Sequence, residues 1–131
     1  MVEQEKTVTL GISTNVTFTG FIPEDEKAEH FRLADAYVMP SRGEGFGFVF
    51  LEAMACGIPV IGSKRDGSQE ALRHGKLGQL VTPGDSHELK QAVLATLQRP
   101  KGIIPDGLED FSFNNYSRCL TDILKAIGKV N

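Results

Sequence analysis

The sequence predicts an α/β fold, a Rossmann-like parallel sheet of about four strands flanked by helices. Short β-branched and apolar segments alternate with longer helical ones along the chain. Such alternation is typical of parallel sheets joined by crossover helices. A glycine-rich stretch at residues 43–47 separates one apolar run from the next, as expected of a turn from a strand into a helix. The 131 residues suffice for one hydrophobic core and one domain.

The first part of the chain is predicted to hold two helices and two strands. Acidic residues at 24–26 favour a helix start, because negative charge stabilises the N-terminal end of the helix dipole. The run 35–40 is continuously apolar after its first residue, which indicates burial on both faces. The predicted order is a helix over 2–10, a strand over 15–20, a helix over 24–33 and a strand over 35–40.

The remaining elements continue the alternation. Gly57 is suited to end a helix, and Asp85 can cap the next long one. The predicted order is a helix over 46–56, a strand over 59–63, a short helix over 68–73, a strand over 78–82, a helix over 86–97 and a terminal helix over 113–127. We therefore expect one partial domain over 1–131, with a core at about 8–98, a linker over 99–110 and the terminal helix within 111–128.

Two carboxylates, Glu44 and Glu52, lie eight positions apart across the glycine-rich loop and the helix that it opens. Free backbone N–H groups at a helix start attract phosphate oxygens, whereas glutamates accept hydrogen bonds from sugar hydroxyls. Together these groups point to a sugar nucleotide. Glu52 lies among apolar neighbours, where an unpartnered carboxylate would be unfavourable, so we expect a hydroxyl-bearing ligand or a polar neighbour beside it.

Composition excludes several classes of function. The net charge of −3 argues against a nucleic-acid surface, and no apolar run approaches the length of a membrane span. The two cysteines, Cys56 and Cys119, give little support for a disulfide, and Cys56 is expected to be a small buried thiol. The histidines and cysteines lack metal-site spacing. A reducing, cytoplasmic location fits best.

The motif Pro-Ser-x-x-Glu-Gly-Phe-Gly at 40–47, followed by Glu-Ala-Met-Ala-x-Gly-x-Pro-Val-Ile at 52–61, resembles the retaining GT-B glycosyltransferases of family 4. Residues 16–21, 66–71 and 78–85 extend the resemblance on both sides, so that it covers roughly 8–98. It implies that the chain is the C-terminal, donor-binding part of an enzyme that transfers a hexose from an NDP-sugar to an acceptor.

The resemblance also implies individual roles at one site. Glu44 would act in catalysis by binding the donor sugar hydroxyls, and Glu52 would bind the ribose hydroxyls. Because Gly45 and Gly47 carry no Cβ, the backbone of the loop can approach the sugar and the diphosphate closely. The donor-binding residues implied are Phe21, Glu44, Gly45, Phe46, Gly47 and Glu52.

The implied mechanism is front-face substitution, in which the leaving diphosphate helps to deprotonate the acceptor. It requires no metal and no other cofactor. Family members also carry an N-terminal acceptor domain and basic residues that neutralise the diphosphate, and neither is found in these 131 residues. We therefore expect a missing domain or a partner chain, no activity of the chain alone, and a homo-oligomer as an option because sheet edges are exposed. Peripheral membrane attachment is an option for the full enzyme.

Other interpretations stay open at the level of the sequence. Glu44 can be a solvated helix-start charge, Glu52 can satisfy a neighbouring backbone group, and Gly45 and Gly47 can be turn formers only. The chain can be a non-catalytic nucleotide-binding or regulatory module. A flavodoxin-like domain without a sugar role would need acidic residues at strand ends, and Asp35 begins a strand instead.

Overall fold

Three short parallel strands form the sheet, in the order β1-β2-β3. The computed structural model describes residues 2–40, 48–65, 67–108 and 128. The strands are β1 (Tyr37–Val38), β2 (Val60–Ser63) and β3 (Gln79–Val81). Tyr37 lies opposite Val60, and Ile61 lies opposite Gln79. The predicted parallel sheet with helical crossovers is confirmed.

The described part of the chain contains five α-helices. They are α1 (Val2–Thr9), α2 (Lys27–Leu33), α3 (Phe48–Ala55), α4 (Ser68–Ala71) and α5 (Ser86–Leu97). Short 3-10 turns precede α2 and follow α4. Each helix that the sequence predicts within the described residues is therefore present. The predicted terminal helix lies outside the described residues.

The predicted strand at 15–20 is wrong. Residues 13–15 form a 3-10 turn, and residues 16–23 belong to no regular element. Val16 and Phe18 remain partly exposed. A β-prone run becomes a strand only when a neighbouring strand supplies hydrogen-bond partners, and no strand in the described ranges pairs with this one. The sheet consequently has three strands in the described structure and not the four expected.

The expected burial of residues 35–40 on both faces is also wrong. The strand contracts to two residues, and the side chain of Val38 is 38% exposed. β1 is the edge of the described sheet, with β2 on one side only. Continuous apolar character does not by itself reveal whether a strand is central, because the covering elements lie elsewhere in the chain.

The core is built around α3. Phe50, Ala53 and Met54 are fully buried and pack with Val60 of β2 and with Leu72. Their spacing of three and four residues places them on one side of the helix. Glu52 lies between them in sequence and is turned to the opposite, exposed side. The same helix therefore anchors the core and presents a carboxylate to solvent.

Both predicted helix ends within the described residues are confirmed. Gly57 has a φ of +77° and ends α3 in a Schellman motif, in which the Gly57 N–H donates to the Met54 carbonyl at 2.9 Å. The Ile58 N–H donates to the Ala53 carbonyl at 3.1 Å in the same motif. At the other helix, Asp85 Oδ1 accepts from the Glu88 N–H at 2.9 Å. These caps set where each helix meets the sheet.

Candidate functional site

The edge beyond the carboxyl ends of the strands is where ligands bind in open parallel sheets. Pro40 follows β1, Lys64 follows β2 and Thr82 follows β3 at this edge. Helix α3 follows β1 and precedes the parallel strand β2, so its N-terminal end lies toward this edge.

Four of the six predicted site residues, Glu44, Gly45, Phe46 and Gly47, lie outside the described residues. Their roles stay predictions. The described part of α3 begins at Phe48, directly after this loop.

Glu52 lies on the exposed side of α3, with its side chain 43% exposed. Its Oε2 accepts an ion-paired hydrogen bond from the Nζ of Lys27 at 2.9 Å. The sequence predicted either a hydroxyl-bearing ligand or a polar neighbour, and the structure supplies the polar neighbour. The carboxylate is half exposed despite its apolar sequence neighbours, because those neighbours point to the other side of the helix.

Lys27 is the site residue that sequence reasoning missed. It is the first residue of α2, and its Nζ also lies 3.3 Å from Glu24 Oε1. The hydrogen bond to Glu52 is the main cause that raises the pKa of Lys27 above its ordinary value of 10.5, and Glu24 adds to it. The pairing of Lys27 with Glu24 can be predicted from the sequence, because residues three positions apart are neighbours on the surface of a helix. The pairing with Glu52 depends on how two helices pack, which no local spacing encodes.

A groove runs between α2 and α3 at this point, with a volume of about 210 Å³. Charged side chains line one part of it, and apolar ones line the rest. The lining residues are Glu24, Lys27, Ala28, Phe31, Glu52 and Cys56. Cys56 is half-buried here and not buried as the sequence predicted, because this residue, directly after α3, lines the groove. The arrangement offers hydrogen-bond acceptors and a cation beside an apolar wall.

Phe21, the sixth predicted site residue, lies in the loop after residues 16–20. Its ring is 90% exposed, and it is not one of the residues lining the groove between α2 and α3. Its implied donor-binding role stays a prediction.

A second polar cluster joins the loops after β2 and β3. Lys64 Nζ lies 2.7 Å from Glu88 Oε1, and the Thr82 N–H donates to Glu88 Oε2 at 3.2 Å. The hydrogen bond from the Lys64 ammonium is the main cause that lowers the pKa of the Glu88 carboxyl below its ordinary value of 4.5. The side-chain and backbone hydrogen bonds from Thr82 add to this effect. This cluster ties two strand ends together at the ligand edge.

The Glu88 contacts predict a pH-dependent contribution to folding. A carboxyl whose folded pKa is lowered stabilises the fold above its unfolded pKa, and this contribution is lost as pH falls through the folded value. Glu88→Gln should therefore lower the free energy of unfolding at neutral pH and make it fall less steeply below pH 4.5. Urea unfolding across this range tests it, with Glu29→Gln on the exposed face of α2 as the control. Equal acid dependence of both variants would contradict the assignment.

The described residues hold neither a metal-binding cluster nor a membrane-spanning helix. Within residues 2–40, 48–65 and 67–108, no three His, Cys, Asp or Glu side chains converge so as to hold a metal ion. None of the helices in these ranges is both long and apolar enough to cross a lipid bilayer.

Comparison with known proteins identifies the family. A family model described as glycosyl transferases group 1 matches residues 2–99. The chain belongs to the group 1 glycosyl transferases. Its fold class is likewise confirmed as part of the GT-B architecture. A crystal structure of Anabaena Alr3699/HepE in complex with UDP and glucose superimposes with a TM-score of 0.77 at 27% identity, covering 94% of this chain and 35% of that one.

Two of the curated relatives are mycobacterial mannosyltransferases. The chain is 40% identical over 97 residues to a phosphatidyl-myo-inositol mannosyltransferase of Mycobacterium leprae, covering 73% of this chain and 26% of that protein. It is 37% identical over 99 residues to a GDP-mannose-dependent alpha-(1-6)-phosphatidylinositol monomannoside mannosyltransferase of Mycolicibacterium smegmatis, covering 70% and 26%. This group 1 chain thus spans about a quarter of the length of these relatives.

Proposed function

We propose that the chain is the donor-binding part of a retaining family 4 glycosyltransferase, which transfers a hexose from an NDP-sugar to an acceptor. The observation that carries the proposal is Glu52, a half-exposed carboxylate in the groove between α2 and α3. The names of the relatives support the ligand class. One is GDP-mannose-dependent, and the Anabaena protein was solved with UDP and glucose.

The chemistry of Glu52 suits a ribose. A carboxylate has two oxygens and accepts hydrogen bonds, so it can bind the two neighbouring hydroxyls of a ribose ring. Hydrogen bonds to a charged acceptor are shorter and stronger than those between neutral groups. The partial exposure of Glu52 keeps this acceptor within reach of a ligand, and the nearby Lys27 balances its charge when no ligand is bound.

The catalytic part of the proposal rests on the loop at 41–47. Glu44 would bind the donor sugar hydroxyls, while the backbone N–H groups of Gly45, Phe46 and Gly47 would face the sugar and the diphosphate. The bond between the anomeric carbon and the diphosphate oxygen breaks, and the acceptor oxygen bonds to the same face of that carbon. The acceptor proton passes to the leaving diphosphate, so that the reaction requires no metal.

We further propose that the 131-residue chain does not catalyse transfer alone. It spans about a quarter of the relatives' length. An acceptor domain and basic groups against the diphosphate, in the same polypeptide or in a partner chain, would complete the site. Self-association through the open edge of β1 stays a prediction of the same kind.

Glu52→Gln is expected to weaken nucleotide binding about ten- to hundredfold, as for the loss of a charged hydrogen-bond acceptor. Titration of the chain with UDP, GDP and ADP, followed by the backbone amide shifts of Gly45, Gly47 and residue 52, measures the affinity and names the donor class. Glu29→Gln, which removes an exposed carboxylate from α2, should bind as the unchanged chain does. An equal affinity of Glu52→Gln and the unchanged chain would contradict the ribose role.

A further inference from the structure

We propose that Lys27 is a positioning residue that holds the Glu52 carboxylate in the orientation that accepts both ribose hydroxyls. This inference rests on the proposed function, and it names the groove between α2 and α3 as the determinant of selectivity for a ribose. Lys27 Nζ contacts Oε2 of Glu52 at 2.9 Å, and the Glu52 side chain remains 43% exposed beside it.

The first step is that Glu52 needs orientation. A glutamate on the exposed side of a helix has three rotatable side-chain bonds. When a ligand fixes this side chain in one rotamer, the conformational entropy of the side chain is lost. An ion pair already present before the ligand arrives selects the arrangement in advance. Preorganisation of this kind improves affinity because less ordering is left for the binding step.

The second step is that Lys27 can supply this orientation. Its side chain is only 28% exposed, and Nζ is held from a second side by Glu24 Oε1 at 3.3 Å. Both carboxylates raise the pKa of Lys27, so the cation persists throughout the neutral range. Ala28 and Phe31, on the same helix, line the groove beside it. Lys27 is thus a fixed cation, and Glu52 is the more exposed partner.

The third step separates orientation from simple stabilisation. Ion pairs at partly exposed positions contribute little to folding because water screens them and the side chains lose entropy. A contact that adds little to stability can still decide where a carboxylate points. A purely structural contact between α2 and α3 would, in contrast, affect every ligand of the groove equally.

The test compares two ligands that differ only in the ribose hydroxyls. UDP and GDP are each titrated beside their 2′,3′-dideoxy counterparts, with the 131-residue chain and its Lys27→Met and Lys27→Arg variants. We expect Lys27→Met to bind the ribonucleotide about tenfold more weakly, as for one disturbed charged hydrogen bond. It should bind the dideoxynucleotide as the unchanged chain does. Lys27→Arg, which keeps a cation at this position, should restore most of the ribonucleotide affinity.

The possible outcomes distinguish the two proposals. An equal loss for both ligands, or unchanged binding of the ribonucleotide, would overturn the positioning role and leave the ribose role of Glu52 intact. If the unchanged chain does not prefer the ribonucleotide over its dideoxy form, or if Glu52→Gln keeps that preference in full, the proposed ribose site fails, and the role of Lys27 fails with it. Urea unfolding of Lys27→Met checks that the fold survives, and a lost fold with no recovery in Lys27→Arg would also count against positioning.

Discussion

Phe50→Ala is expected to lower the free energy of unfolding by about 3–5 kcal/mol, the usual range when a buried phenylalanine is truncated. Phe50 is fully buried on the core side of α3. Its ring meets Tyr37 edge-to-face, with the ring centroids 5.6 Å apart, and it belongs to the main core cluster. Alanine would leave a cavity that the sheet cannot close, because β2 is held on both sides by its neighbours. Urea unfolding followed by circular dichroism measures the change.

Two controls accompany the Phe50 variant. Phe50→Leu keeps much of the apolar volume and should lose clearly less stability than alanine. Leu97→Ala removes a large apolar side chain from α5, but that side chain is half exposed, so the change should be small. A loss at Phe50→Ala no larger than at Leu97→Ala would contradict the assignment of α3 as the centre of the core.

Gly57→Ala is expected to lower the free energy of unfolding by roughly 2–5 kcal/mol, from two additive causes. The first is the φ of +77°, a left-handed conformation that a Cβ disfavours. The second is steric, because a Cβ at this position would lie 2.7 Å from the Cα of Gly102 and 2.9 Å from its carbonyl carbon. Both contacts are backbone atoms, which cannot move aside as a flexible side chain would. Thermal and urea unfolding measure the loss.

Gly102→Ala is the matched control for Gly57. Gly102 also has a positive φ, of +89°, but a Cβ there would meet nothing within 4 Å. It carries the backbone penalty without the clash, so it should lower the unfolding free energy by about 1–2 kcal/mol. The difference between the two variants isolates the packing of Gly57 against Gly102, whose N–H donates to the Gly57 carbonyl at 2.9 Å. Equal losses in both variants would show that the close approach is not rigid.

These two positions matter for function because α3 links the core to the site. Phe50 sets how deeply the helix lies on the sheet, and Gly57 sets where it ends. Glu52 lies between them on the opposite side, facing the groove with Lys27. A shift of α3 would therefore move the carboxylate relative to α2. The nucleotide affinity of each variant consequently has to be compared with the unfolding free energy of the same variant.

The sequence by itself determined the features that depend on neighbouring residues. Alternating apolar runs identified the parallel α/β class, and Gly57 and Asp85 marked helix ends that the structure confirms. Local hydrogen bonding and backbone sterics act within a few residues, so their signals are present in the sequence itself. The motif at 40–61 likewise indicated a glycosyltransferase from its residues alone, and the family model confirms the group 1 glycosyl transferases.

Only the tertiary structure decided the features that depend on partners far away in the chain. The β-prone run at 15–20 is not a strand, because no described strand pairs with it, and β1 is the edge of the described sheet for a related reason. The pairing of Lys27 with Glu52 joins residues 25 positions apart through the packing of α2 against α3. Hydrogen-bond ladders and helix contacts are made between segments, so each segment's own residues specify what it can pair with but not whether a partner lies beside it.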